Sequence, residues 1–167
     1  MKTLGTVIIC ATIFIYGMCA SAKFKSRRKS LECAKELMGY IKTEIRFSSR
    51  EYDDIIVCAK NSKRFERLTF LKNCENVKNA RCFAEKMNLA IENDSGSYLK
   101  PSDKQALAEF FCFAGTTDKE GQINNCLLCE QKLESNLSLA KSDEQKNEKL
   151  YRILFASLSA AVFILTV

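Results

Sequence analysis

Cys126 and Cys129 stand three residues apart in QINNCLLCEQKLE. That spacing suits a redox dithiol or half of a thiolate zinc site. A redox pair belongs at a helix start after a strand, and a zinc site needs a second pair. Neither is present in the surrounding pattern, so the two thiols are read as packing groups. A second stretch with chemical interest is FFCFAGTTDKEGQ, residues 110–122, where an apolar helical run ends at Gly115 and a polar cluster follows. It could be the corner of a catalytic site or a turn between helices. The carboxylate pairs Asp53-Asp54 and Asp143-Glu144 lie in polar surroundings and read as solvated faces. Histidine is absent from all 167 residues. That removes the commonest general base and metal ligand, and with them any Ser-His or Cys-His nucleophile pair. Zinc would need cysteines and carboxylates alone. No glycine-rich phosphate loop of either common type occurs.

The elements around these residues decide between the readings. Six glycines and one proline over this length argue for long helices. Leu107, Phe110, Phe111 and Ala114 mark one apolar face, and Gly115 follows where a left-handed terminus favours glycine. Thr117 and Glu120 have capping-box spacing, and Asp118 falls in the first turn of the next helix. Each polar residue of the stretch thus has a structural role, and a corner between two antiparallel helices is expected. No catalytic residue, metal site or cofactor is assigned.

The rest of residues 23–149 also reads as helix, giving an all-α bundle of about six helices. Leu31, Ala34, Leu37, Met38, Ile41 and Ile45 form one stripe at three- and four-residue steps. Ser48 and Glu51 are spaced as a capping box before a short helix carrying Ile55, Ile56 and Ala59. Phe65, Leu68 and Leu71 mark another short helix. Asn76 is expected to cap the helix of Val77, Ala80, Phe83, Ala84, Met87 and Ile91. Asn93-Asp94-Ser95-Gly96 is a turn cluster. Ser102 and Gln105 are expected to cap the helix after Pro101. The last helix carries Ile123, Cys126, Leu127, Leu133, Leu137 and Ala140, and beyond it residues 142–149 (SDEQKNEK) are polar on all sides.

Both ends are apolar. Residues 4–22 carry no charge and span about 28 Å as a helix, close to a bilayer core. Lys23, Lys25, Arg27, Arg28 and Lys29 follow at once. By the positive-inside rule this flank is cytoplasmic and the N-terminus outside. Residues 153–167 are again uncharged, preceded by Lys149 and Arg152, so residues 150–167 form a second anchor that leaves the cytoplasm. The expected organisation is an anchor at 1–22, a cytosolic bundle at 23–149 and a transmembrane helix at 150–167. Ala20-Ser21-Ala22 would suit a cleavage site. The alternative is therefore a secreted or surface-anchored, cysteine-rich helical protein. Nine cysteines with an odd thiol fit that reading less well than reduced thiols on helical faces. The net charge of +6 is accounted for by the anchor flanks, and no nucleic-acid partner is expected.

The layout resembles the stage III sporulation protein AB family of endospore-forming bacteria. The stretch FFCFAGTTDKEGQINNCLLCEQKLE is similar to the family's apolar helix ending in glycine, then G-x-x-D, then a glutamine four residues on. Gly115, Asp118 and Gln122 fill those places, with Thr117 between them. EQKNEKLYRILF resembles the family's last helix entering the membrane, and LMGYIKTEIRFSS its first helix. The resemblance implies a non-enzymatic membrane component of the channel between mother cell and forespore. Its cytosolic domain would be similar to the helical domain of the type II secretion inner-membrane platform protein F. The implied partners are the companion secretion-type ATPase, stage III AA, other channel proteins and lipid. The implied place is the mother-cell membrane around the forespore, with the bundle in the mother-cell cytosol.

Overall fold

The structure is a computed structural model that describes residues 2–48, 50–77 and 80–166; side chains are not described for 2–11, 13, 14, 16–21, 152 and 159–166. The side chains of Cys10, Cys19, Arg152 and most of both apolar runs, and all of Ser49, therefore lie outside what can be described. Among the described residues there are only helices and turns. The helices are α1 (Lys2–Phe47), α2 (Tyr52–Asn61), α3 (Phe70–Asn73), α4 (Phe83–Glu92), α5 (Pro101–Cys112) and α6 (Lys119–Thr166). Two 3-10 turns, Lys63–Phe65 and Cys74–Asn76, flank α3. The all-helical expectation holds. Each expected anchor is continuous with a bundle helix, so among the described residues the six α-helices include both ends.

The chain divides into two compact units, Arg27–Ser138 and the pair of terminal stretches Met1–Ser26 with Leu139–Val167. In the larger unit the α1 stripe is buried as its periodicity dictates, with Leu31, Ala34, Leu37, Met38 and Ile41 at 0% exposure. Each large side chain removed from water contributes about 1.5–3 kcal/mol. α6 faces it with Cys126, Cys129, Leu133 and Leu137; Leu127, expected on this face, is 40% exposed. Steps of 126, 129, 133 and 137 follow the helical repeat, and residue 127 sits about 100° round from 126. Lys42 bonds Glu130 at 2.8 Å and Lys35 bonds Glu134, so α1 and α6 are antiparallel here. Asn125 Nδ2 donates to the Phe110 carbonyl at 3.0 Å and Cys129 Sγ to the Ala106 carbonyl at 3.6 Å. α5 is therefore antiparallel to α6 as well, as the corner requires.

Tyr52, Phe83, Phe110 and Phe111 form an aromatic cluster with centroids 4.9 to 6.5 Å apart. It ties α2 and α4 to α5. The connection from α4 to α5 folds around Asp94, whose carboxylate accepts from the hydroxyls of Thr69 and Ser97. Gly96 is required there: a Cβ would lie 2.6 Å from Thr69 Oγ1.

Several helix starts differ from the expected caps. α5 begins at Pro101, not after Ser102, because proline is preorganised for the first helical position. Asp103 then reaches back to the Lys100 amide at 2.9 Å, in the place expected of Gln105. Ser48 bonds backwards to the Glu44 carbonyl at 2.8 Å, and Glu51 merely precedes α2 without a side-chain cap. Asn76 ends a 3-10 turn; α4 starts after Cys82, with Glu85 accepting from the Arg81 amide at 2.7 Å. Phe65, Leu68 and Leu71 are buried, but on a 3-10 turn and the short α3 in place of one helix.

In the terminal unit Phe24 and Tyr151 lie 6.2 Å apart and Tyr151 stacks on Phe155 at 5.8 Å. Leu150, Ile153, Leu154 and Leu158 are 49 to 70% exposed. Among the described residues no helix is long and apolar enough to cross a membrane.

Candidate functional site: the helix corner and the basic flank

The corner is built from backbone groups that helices leave unpaired at their ends. At the end of α5 the amides of Phe113 and Ala114 donate to Phe110 and Phe111 at 3.2 and 3.3 Å. Gly115 then takes φ +76°, a conformation costly to any residue with a Cβ. The Thr116 hydroxyl donates to the Phe113 carbonyl at 3.0 Å. Asp118 caps α6: its carboxylate accepts from the Gly121 amide at 3.0 Å. The cap is thus Asp118 with Gly121, one residue beyond the expected Thr117 with Glu120. A carboxylate beside the positive helix end is favoured by charge as well as by the hydrogen bond. Gln122 closes the turn, its side-chain amide donating to the Thr117 carbonyl at 2.8 Å. Gly121 makes room, since a Cβ would meet Thr117 Oγ1 at 2.8 Å. Gly115, Thr117, Asp118 and Gln122 therefore do come together in one turn. The Asp118 carboxylate and the Gln122 side-chain amide are both directed at backbone groups of the turn.

The basic flank is distributed differently. Lys23, Lys25 and Lys149 are exposed in the terminal unit. Arg28 pairs with Glu32 at 2.8 Å along α1, and Lys29 is half-buried. Arg27 is only 6% exposed and grips Asp103 with two hydrogen bonds, at 2.9 and 3.0 Å. Asp103 is fully buried. Sequence reasoning missed this pair. The signal was present in Lys100-Pro101-Ser102-Asp103, since proline at the first position puts the aspartate at the third, facing the helix start.

The seven described cysteines are unbridged; Cys33, Cys74, Cys126 and Cys129 are buried, and Cys58, Cys82 and Cys112 exposed. Burial pushes the Cys126 and Cys129 thiols up to about 12, and those of Cys33 and Cys74 up to about 11. The C-x-x-C pair is thus held protonated within the packing, the opposite of a reactive dithiol. Among the described residues no group of three cysteines or carboxylates could hold a metal ion. Two surface grooves are open among the described residues. One of about 280 Å³ lies between α5 and α6 at Ser102, Glu109 and Asn136. A larger one of about 480 Å³ lies between α1 and residues 63–67.

The profile of stage III sporulation protein AB (spore_III_AB) matches residues 2–167. The chain belongs to the stage III sporulation protein AB family. Comparison with curated proteins and with solved structures gives no match. The family match takes in both apolar ends along with the corner and the bundle, and makes this a stage III sporulation protein.

Proposed function

We propose that the chain is a non-enzymatic membrane component of the channel apparatus between mother cell and forespore, an adaptor for the companion secretion-type ATPase. The family match over residues 2–167 carries this reading. Two uncharged runs with basic flanks support the membrane part. So does the exposed apolar surface of Leu150, Ile153, Leu154 and Leu158, which water would disfavour and lipid would accept. In this reading residues 1–22 and 150–167 are anchors with opposite headings. Residues 23–149 hang into the mother-cell cytosol, as in the type II secretion platform protein F, from the membrane around the forespore. Phe24 and Tyr151 suit the interface, where an aromatic ring prefers to lie. The corner's polar groups cap helices, which favours a scaffold over a catalyst.

The test is co-purification of the full chain with the companion ATPase from sporulating membranes solubilised in mild detergent. A stable complex is expected; an ATPase that never co-purifies, with the chain intact and in the membrane fraction, contradicts the adaptor role.

A further inference from the structure

We infer that the groove between α1 and the turn at residues 63–67 binds the phosphate headgroup of an anionic phospholipid, an inference that rests on the membrane reading above. One face of α1 supplies Lys29, Glu32, Cys33 and Glu36, spaced as a single helical stripe. The 3-10 turn and the residues after it supply Lys63, Arg64, Glu66 and Arg67 across a space of about 480 Å³. The floor is fixed: Cys33 is 6% exposed and donates to the Arg64 carbonyl at 3.4 Å.

The charges do not cancel. Each acid of the groove already has a cation: Glu32 has Arg28 at 2.8 Å, Glu36 has Arg64 at 2.9 Å, and Glu66 has Lys72 at 3.9 Å. Arg28 and Lys72 come from outside the groove. Among the described residues Lys29, Lys63 and Arg67 have no carboxylate within 4.0 Å, so three cations converge there beyond the pairs. Arg64 is held in place by Glu36 and by stacking on Phe65, 5.5 Å from its ring. A mix of guanidinium and ammonium groups around an open space fits a phosphate, bidentate at arginine and point-like at lysine. Lys29 follows the uncharged run of residues 4–22 by only seven residues. That proximity favours a lipid headgroup over a free anion. A cytoplasmic leaflet is negatively charged and attracts basic side chains close to it.

The experiment uses the full chain in maltoside micelles, titrated by calorimetry with dioctanoyl phosphatidylglycerol, dioctanoyl phosphatidylcholine, inorganic phosphate and a polyglutamate peptide. Saturable binding of the phosphatidylglycerol alone is expected. K63Q/R67Q should lower that affinity roughly tenfold or more with the helical signal unchanged. R46Q/K119Q, remote from the groove, should not lower it. K29Q provides a second groove variant should K63Q/R67Q lose helicity. Equal affinity for the two lipids would overturn the inference. So would free phosphate or polyglutamate binding as tightly as the lipid, or groove variants that bind normally. Alkaline carbonate washing of vesicles containing the same protein reports the membrane reading by itself. Protein that washes out sinks that reading, whereas retained protein with no headgroup preference sinks only the groove.

Discussion

Single residues decide the corner and the buried charge. At Gly115 a Cβ would have space, with Tyr52 Cδ2 3.9 Å away, so the whole penalty comes from φ +76°. Gly115→Val is expected to destabilise the protein by about 1–2 kcal/mol, measured by chemical denaturation, and to lower its abundance. Gly115→Asn should cost less, because asparagine tolerates the left-handed region. Removing Arg27 has a larger effect. Arg27→Met leaves the buried Asp103 carboxylate without its cation, and a loss of about 3–5 kcal/mol is expected. Arg27→Met with Asp103→Leu should recover much of it, since an apolar pair of similar volume leaves no stranded charge. The buried thiols set a pH limit. Their folded values, about 11 to 12, lie above the ordinary thiol value of 9.0. Their contribution is thus complete below pH 9 and is lost as pH rises towards 11 to 12, because the unfolded chain ionises first. The melting temperature should fall across that window, and less so in Cys126→Ala/Cys129→Ala. The glycine at the corner was legible because glycine there follows the end of an apolar stripe. Of the buried pair, the place of Asp103 was legible after Pro101, but Arg27 as its partner was not, because a basic residue in a run of five looks like its neighbours.

At the level of elements, apolar periodicity was the reliable signal and polar caps the unreliable one. The stripe from Leu31 to Ile45 is buried in full because helix spacing alone fixes which residues share a face. Caps compete locally. Ser48, Ser102 and Thr117 each offered an oxygen, yet Ser48 bonds back into α1, and backbone geometry set by Pro101 and by Gly115 moved the other two helix starts. The pairing of α1 with α6 was invisible in sequence, since nothing local links residues 42 and 130. It has a direct test. The side chains of Lys42 and Glu130 are 25 and 18% exposed. Lys42→Glu is expected to cost about 1 kcal/mol, and adding Glu130→Lys should restore most of the loss in a double-mutant cycle. Additive losses would contradict the antiparallel register.

For the whole molecule, the central claim is that a twice-anchored bundle faces a reducing interior. Uncharged ends, a basic flank and cysteines placed on helical faces pointed to it in the sequence, and the family match extends over all these parts. Cys58 and Cys112 are exposed in the bundle and report its side of the membrane. The decisive measurement is labelling of these two thiols with a membrane-impermeant maleimide in intact bacterial cells, then in permeabilised ones. Labelling only after permeabilisation is predicted. Labelling in intact cells, or a loss of both thiols to disulfides, would place the bundle outside and contradict it.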